Sequence, residues 1–359
     1  MKKTIIYFTA ILFIGFLQKT MAQGCVAIRS NGGYCTMAGH SDTASKWQLS
    51  INNRYFKSYK HFIGTVEQTQ RQTLGTEVIN HQFTSDIAIT RKLNDRWSLM
   101  LDLPIESNSR SSLYEHNNVG RYVTHSFGVG DIRVAVYAWL VNPEKMPKGN
   151  IQLGLGLKLP TGAYNYQDFF HITADSLRLG PVDQSIQLGD GGTGLTFEFN
   201  GFYNFSTNVG VYGNFYYLAN PRDVNGTLTT RGATPSGASI TNGSYVMSVP
   251  DQSMARAGVN VSAKQFTFSA GARYECLPVK DLIGGSDGFR RPGNILSVEP
   301  GVTYNFGKIS VYLFAPIAVR RDRPQSVPDE ITTAKTGVFT NGDAAFADYA
   351  LNLGAVFKL

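Results

Sequence analysis

The chain has 359 residues, of which 16% are charged and 12% aromatic, and it contains 37 glycines. Low charge combined with many aromatic residues excludes an intrinsically disordered chain. A mean hydropathy of -0.14 excludes a bundle of membrane-spanning helices. The composition favours many short strands joined by glycine-rich turns.

The first 22 residues have the three parts of a secretory signal peptide. Lys2 and Lys3 precede an apolar run over residues 5–17, which is too short to span a bilayer comfortably. Small residues at positions 20 and 22 then stand at −3 and −1 of a cleavage site after Ala22. We therefore predict residues 1–22 to be a signal peptide and the protein to be exported.

Removal of this segment changes the charge of the chain. The full sequence has a formal net charge of +7, and loss of the three lysines at positions 2, 3 and 19 lowers it to +4. A charge this small does not indicate a nucleic-acid partner, which would require a strongly basic surface.

Residues 23–45 form a short segment before the first predicted strand, and two of the three cysteines lie in it. In an oxidising compartment, Cys25 and Cys35 are candidates for a local disulfide, which leaves Cys276 unpaired. Lipidation of Cys25 is the alternative, although Ala22-Gln23 lacks the usual residues before a lipidated cysteine. We interpret the segment as periplasmic. An alternative is that it folds into the lumen as a small plug.

Alternation of apolar and polar residues dominates the remaining chain. In residues 151–159 every odd position is aliphatic and every even position is Gln, Gly or Lys, which indicates a strand with one apolar face. Twelve segments show this pattern, and each is close to the ~9–11 residues of a membrane-crossing strand. They cover residues 46–56, 80–90, 97–105, 129–140, 150–159, 194–205, 209–219, 253–264, 265–276, 294–306, 308–320 and 346–359.

The connections between these segments alternate strictly in length. Those after the even-numbered segments are short, whereas those after the odd-numbered segments are long and polar: residues 57–79, 106–128, 160–193, 220–252, 277–293 and 321–345. All long loops then lie on one side, which is the plan of an outer-membrane barrel. The predicted fold class is all-β: a transmembrane antiparallel barrel of about 12 strands over residues 46–359, with long extracellular loops and short periplasmic turns. A secreted soluble β-sandwich is the less favoured alternative.

The face opposite the aliphatic one should line the lumen. Its charged residues are six basic and six acidic: Arg54, Asp86, Asp102, Arg133, Lys158, Glu198, Arg256, Arg273, Glu275, Glu299, Arg320 and Asp348. Charges in a small lumen favour pairing between neighbouring strands, so structural ion pairs are the preferred interpretation. The alternative is a conduction path with a basic wall of Arg133 and Lys158 facing an acidic wall of Glu275 and Glu299.

Twelve strands enclose a narrower space than the 16–18 of general porins. Inward glycines are expected to leave space beside the wall, and inward aromatic residues to narrow it. The glycines are Gly154, Gly156, Gly210, Gly258, Gly271, Gly301 and Gly354. The aromatic residues are Tyr137, Trp139, Phe202, Tyr212, Tyr216, Tyr312 and Phe314.

Four short motifs resemble one protein family. They are GDIRV at 130–134, GLGLKLPTG at 154–162, QLGDGGTG at 187–194 and VEPGVTY at 298–304. Together they resemble the outer-membrane proteins of the MetA-pathway phenol-degradation type, over roughly residues 128–320. The resemblance implies a barrel for uptake of aromatic or other small hydrophobic compounds. No cofactor is expected.

Three classes of function remain open. Passive uptake of a small, aromatic or hydrophobic solute through the outer membrane is preferred. A structural or surface-interaction barrel with a closed lumen is the alternative. An enzyme, such as a barrel-wall lipid hydrolase, is disfavoured because adjacent His125 and Ser126 would point to opposite faces of a strand, and His81 is about 13 Å from Ser85.

The expected partners are outer-membrane lipid and a small-molecule solute, and the oligomeric state is left open. Loop acids are interpreted as solvated, since no twelve-residue calcium loop is present. They are Asp183, Asp190, Asp281 and Asp287.

Overall fold

A computed structural model describes residues 45–359. The signal peptide, the Cys25–Cys35 pair and nearly all of the 23–45 segment lie outside the described residues. The strands are β1 (Trp47–Ile63), β2 (Val66–Glu67), β3 (Ile79–Lys92), β4 (Trp97–Ser112), β5 (Tyr122–Val129), β6 (Arg133–Trp139), β7 (Gly149–Lys158), β8 (Gln167–His171), β9 (Leu177–Pro181), β10 (Gly194–Asn204), β11 (Val209–Ala219), β12 (Val224–Leu228), β13 (Val246–Ser248), β14 (Gln252–Ala263), β15 (Phe266–Leu277), β16 (Gly293–Phe306), β17 (Ile309–Phe314), β18 (Ile317–Asp322) and β19 (Ala344–Lys358).

Short helical segments lie in the loops. They are α1 (Gln70–Thr73), α2 (Gly237–Asn242), α3 (Val327–Thr336) and two 3-10 turns, Tyr114–His116 and Gln184–Ile186. None of the helices within residues 45–359 has the length and apolar character needed to cross a membrane.

Antiparallel pairing of the strands forms a closed wall. The order around it is β1, β3, β4, β5 with β6, β7, β10, β11, β14, β15, β16, β17 with β18, and β19. The last strand pairs with the first, with Asn52 opposite Gly354 and Tyr55 opposite Leu351, so the wall is closed. The predicted 12-stranded antiparallel barrel is therefore confirmed.

Two of the twelve wall strands are interrupted. Residues 130–132 separate β5 from β6, and the N–H of Gly130 still donates to the carbonyl of Pro104 at 2.9 Å. Residues 315–316 separate β17 from β18, where Pro316 has no N–H to donate to the ladder. The chain continues in the same wall position after each break.

Several strands extend further than predicted at the rim that carries the long loops. Most of the predicted loop 106–128 is strand, because β4 continues to Ser112 and β5 begins at Tyr122. The inward positions Glu106, Asn108 and Arg110 are buried, but the outward positions between them are serines. The apolar outer face therefore ends before the strand does, which is why the pattern of alternation predicted too short a strand.

Five of the seven inward glycines are covered by neighbouring aromatic side chains. A Cβ on Gly154 would lie 2.5 Å from the ring of Tyr137, and one on Gly258 would lie 2.7 Å from the Tyr212 hydroxyl. Gly301 and Gly354 are in the same way covered by Phe314 and Tyr312. These glycines therefore leave no open space beside the wall, which contradicts the expectation from the sequence. They accommodate the aromatic rings that fill this space.

Candidate functional site

A segment of the loop between β9 and β10 folds inward and covers part of the lumen. We call residues 183–190 the roof loop. Several hydrogen bonds attach it to its surroundings. Among them, Gln82 Nε2 donates to the Ser185 carbonyl at 2.8 Å, Ser126 Oγ donates to the Ile186 carbonyl, and Gln184 Nε2 donates to the Ser248 carbonyl at 2.8 Å.

Asp183 fixes the start of the roof loop. Its two carboxylate oxygens accept hydrogen bonds from Arg291 at 2.8 and 2.7 Å, and Arg110 lies 3.5 Å away. Burial alone would raise the pKa of Asp183, but the guanidinium groups of Arg110 and Arg291 outweigh it and hold the pKa well below its usual range. The carboxylate therefore remains ionised and paired at neutral pH.

A cavity of about 110 Å³ lies under the roof loop. Its two sides differ in chemistry. Charged side chains from β1 to β7 form one side, which we call the polar wall: Arg54, Asp86, Asp102, Glu106, Arg133 and Lys158. Side chains from β11 to β15 and the adjoining loops form the other side, where apolar residues lie beside the polar Ser248, Gln252 and Arg291. We call the apolar residues of this side the apolar wall: Tyr216, Leu218, Met247, Pro250 and Leu277.

Most of the charged residues predicted to line the lumen are buried inside the barrel. These are Arg54, Asp86, Asp102, Arg133, Lys158, Glu198, Arg256, Arg273, Glu275 and Glu299. Asp348 is half-buried nearer the loops, where it contacts Lys60, Tyr59 and Arg321. A role of these residues in conduction remains a prediction.

The prediction that Arg320 faces the lumen is wrong. Its side chain is 64% exposed and lies on the outer face, near Asp322. The register of β18 against β16 shifts between Leu296 and Ser297, so strict alternation fails at this point. Arg321 takes the inward position instead, where it donates to Asp348 at 2.6 Å and covers the ring of Phe62.

The buried charges form local clusters. On one side, Arg133 bonds Glu198 and lies 3.6 Å from Asp102, and the hydroxyl of Tyr137 donates to Glu198 at 2.8 Å. Lys158 bonds Asp190 of the roof loop and Asp131. Both basic residues of the conduction hypothesis are therefore paired on their own side of the barrel.

The acidic residues of that hypothesis are also paired. Glu299 bonds Arg256 and lies 3.3 Å from Arg273, which in turn donates to Glu275 at 2.9 Å. The Arg256 guanidinium lies over the ring of Phe314 at 4.9 Å. This geometry favours structural ion pairs, and the conduction path between a basic wall and an acidic wall stays a prediction.

Three of the four loop carboxylates are held in ion pairs, whereas the sequence suggested solvated side chains. Asp183 and Asp190 hold the roof loop, and Asp281 forms a fully buried pair with Arg290, with two bonds of 2.7 Å. The interpretation of these three as solvated residues is wrong. Pairing with Arg291, Lys158 and Arg290 decides the environments of Asp183, Asp190 and Asp281.

Sequence reasoning missed several residues around the cavity. Glu106 lies beyond the predicted end of its strand, Asp131 lies in a strand break, and Arg291 lies in a loop. Only Asp131 had a signal, because it belongs to the GDIRV motif quoted above.

The residues considered for a hydrolase do not meet. His125 is exposed on β5, whereas Ser126 is buried and donates to the roof loop. His81 is exposed and contacts the Tyr55 hydroxyl at 2.8 Å. These contacts leave neither serine activated by the histidine considered with it.

Comparison with solved structures supports the architecture. An outer membrane channel from Pseudomonas putida F1 is similar, with a TM-score of 0.55 and 11% sequence identity over 88% of this chain and 98% of that chain. At this identity the likeness shows the fold alone.

Two further structures are more distant. The translocator domain of the autotransporter NalP from Neisseria meningitidis has a TM-score of 0.43 and 13% identity, over 89% of this chain and 91% of that chain. The CymD monoaromatic hydrocarbon channel has a TM-score of 0.42 and 10% identity, over 94% and 98%. Neither carries a functional argument.

No protein-family model and no curated protein sequence matches this chain. The resemblance to the MetA-pathway phenol-degradation type therefore stays a prediction.

Proposed function

We propose that this protein is a passive transporter of the outer membrane for a small solute that has both polar and apolar surface. The observation that carries the proposal is the cavity with a polar wall and an apolar wall inside a closed barrel. Small-molecule sites combine apolar surface with a few polar groups that orient the ligand.

The proposed orientation follows from the two rims. Outer-membrane barrels have short periplasmic turns and longer extracellular loops. Here one rim has connections as short as residues 264–265 and 307–308, and the other includes 159–193 and 220–251. The roof loop would therefore close the cavity from the outside, and it would have to move for a solute to enter.

The outer surface of the barrel suits a lipid environment. Leu153, Leu155 and Leu157 on β7 are exposed, whereas Gly154 and Gly156 between them are buried. Trp47 and Trp97, near the rim with short turns, are exposed where an aromatic girdle is expected.

The second candidate is a structural or surface-interaction barrel whose lumen stays closed. The observation that favours it is the roof loop itself, because Asp183 and Arg291 form a mostly buried ion pair above the cavity. A barrel with this roof permanently in place would pass no solute.

Reconstitution separates the two candidates. We would refold the full chain into liposomes and measure uptake of radiolabelled L-phenylalanine, a small amphipathic molecule, and of the trisaccharide raffinose, which the narrow lumen should exclude. Transport predicts phenylalanine uptake above protein-free liposomes without raffinose uptake. Uptake of neither, by protein shown to be folded, would contradict transport and favour the closed barrel.

A further inference from the structure

The polar wall contains a buried carboxylate, that of Asp86, whose bonding is incomplete. Asp86 on β3 is 3% exposed and lines the cavity. Its Oδ2 accepts a hydrogen bond of 3.5 Å from Asn52, but within residues 45–359 no donor bonds its Oδ1.

The neighbours of Asp86 explain this gap. Its register partner on β1 is Asn52, which bonds one oxygen, and its partner on β4 is Pro104, which has neither an N–H nor a polar side chain. In the part of the chain that the structure describes, no salt bridge joins Asp86 to a basic residue. A buried carboxylate oxygen without a donor is costly unless something else supplies one.

Three basic residues around the cavity are paired with resident carboxylates, although Nη2 of Arg133 makes no hydrogen bond within residues 45–359. Arg133 bonds Glu198 and contacts Asp102, Lys158 bonds two aspartates, and Arg291 bonds Asp183. Arg54, the fourth, lies on β1 opposite Thr84, next to Asp86 along the wall. A guest anion would therefore have to compete with resident carboxylates for Arg133, Lys158 and Arg291.

Acidic groups also outnumber basic ones at the cavity. Five carboxylates line it, against four basic side chains. The carboxylates are Asp86, Asp102, Glu106, Asp131 and Asp190, and the basic residues are Arg54, Arg133, Lys158 and Arg291.

We infer that the cavity selects a small amphipathic cation, an ammonium group attached to an aromatic or aliphatic body. This rests on the proposed function for the route, but the binding itself does not depend on transport. The ammonium N–H would donate to Asp86 Oδ1 and complete its bonding. The body would pack on the opposite wall, against Leu218, Met247 and Leu277.

The inference is tested by three probes that share one ring and differ in charge: benzylamine, benzyl alcohol and benzoate. Isothermal titration calorimetry on the folded full chain in detergent at pH 7 measures their binding. Because a hydrogen bond to a charged group is among the stronger ones, benzylamine should bind about 10- to 100-fold more tightly than the other two. Equal binding of the three, or tighter binding of benzoate, would overturn the inference without any variant.

A variant then assigns the site. Asp86→Asn keeps the size of the side chain and removes its charge, so benzylamine affinity should fall about 10-fold or more to the level of benzyl alcohol. The matched control is Asp95→Asn, in the short turn at residues 93–96, where the native carboxylate contacts Lys92; it should bind benzylamine as the unmodified protein does. A preference for benzylamine that survives Asp86→Asn would show that another group makes it.

Failures of the inference and of the proposed function are distinguishable. Selective benzylamine binding in a protein that takes up no phenylalanine would leave the cation site standing and contradict transport. Phenylalanine uptake without selective benzylamine binding would leave transport standing and overturn the cation site.

Discussion

Replacing Asp183 by asparagine should release the roof loop. In the native protein its carboxylate accepts two bonds from Arg291, and Arg110 lies 3.5 Å away. Asparagine has nearly the same volume but no charge, so both guanidinium groups would lose a buried anion. Arg110 would keep Glu115, to which it donates at 2.9 Å, whereas Arg291 would lose its carboxylate partner at Asp183.

The size of the effect follows from the burial of the pair. The Arg291 and Asp183 side chains are 13% and 6% exposed, so solvent screens their attraction little. Breaking a buried pair by removing one partner costs about 3–5 kcal/mol, and the partial exposure of Arg291 points to the lower end. At about 1.4 kcal/mol for each factor of ten, the population with a displaced roof loop should rise about 100-fold.

Limited proteolysis and planar-bilayer recording measure this change. Asp183→Asn should be cleaved within the loop between β9 and β10 much faster than the unmodified protein, and it should show more frequent open steps. The control is Asp175→Asn, an exposed acid in the same long loop, which should change neither readout. Unchanged cleavage and conductance in Asp183→Asn would refute the view that this carboxylate holds the roof.

Low pH should weaken the same contact, between Asp183 and its arginine partners. Because the pKa of Asp183 is lowered on folding, its contribution is fully present above the ordinary value of 3.8 and is lost only as the pH falls through the lower folded pKa. Cleavage of the native roof loop should thus stay constant between about pH 8 and 5. A loop that loosens within this range would contradict the assignment.

Two further substitutions test the barrel interior. Gly154→Ala places a methyl group against the ring of Tyr137 and should lower the free energy of unfolding in urea by about 1–3 kcal/mol. Gly213→Ala is the control and should be tolerated, because no atom lies closer than 3.9 Å to the added carbon. Equal effects of the two substitutions would contradict the packing of Tyr137 on Gly154. Arg321→Gln should lower the free energy of unfolding by about 1–3 kcal/mol, because the bonds to Asp348 and the Ala347 carbonyl are lost. Arg320→Gln should change it by no more than about 0.5 kcal/mol. A larger effect of Arg320→Gln than of Arg321→Gln would contradict the register shift.

The wall of the barrel was predictable because its signal is local and repeated. Each membrane-crossing segment alternates between lipid-facing aliphatic residues and inward polar ones, as at 151–159, and a period of two can be read without knowing the neighbouring strands. The same reasoning placed Arg133 and Glu299 inside. It failed at Arg320, since a single bulge reverses the face of every later residue in a strand.

The site was less predictable because distant segments build it. Asp183 depends on Arg291, which is 108 positions away, and the roof loop depends on Gln82 of β3. No periodic pattern relates such residues. The two-sided chemistry of the cavity likewise appears only when Asp86 and Leu218 face one lumen.

Uptake of L-phenylalanine by liposomes that contain the refolded full chain tests the central claim most directly. The account predicts saturable phenylalanine uptake without raffinose uptake, increased in Asp183→Asn and unchanged in Asp175→Asn. Folded protein that admits no phenylalanine, with the roof loop intact or released, would contradict a transport function for this barrel.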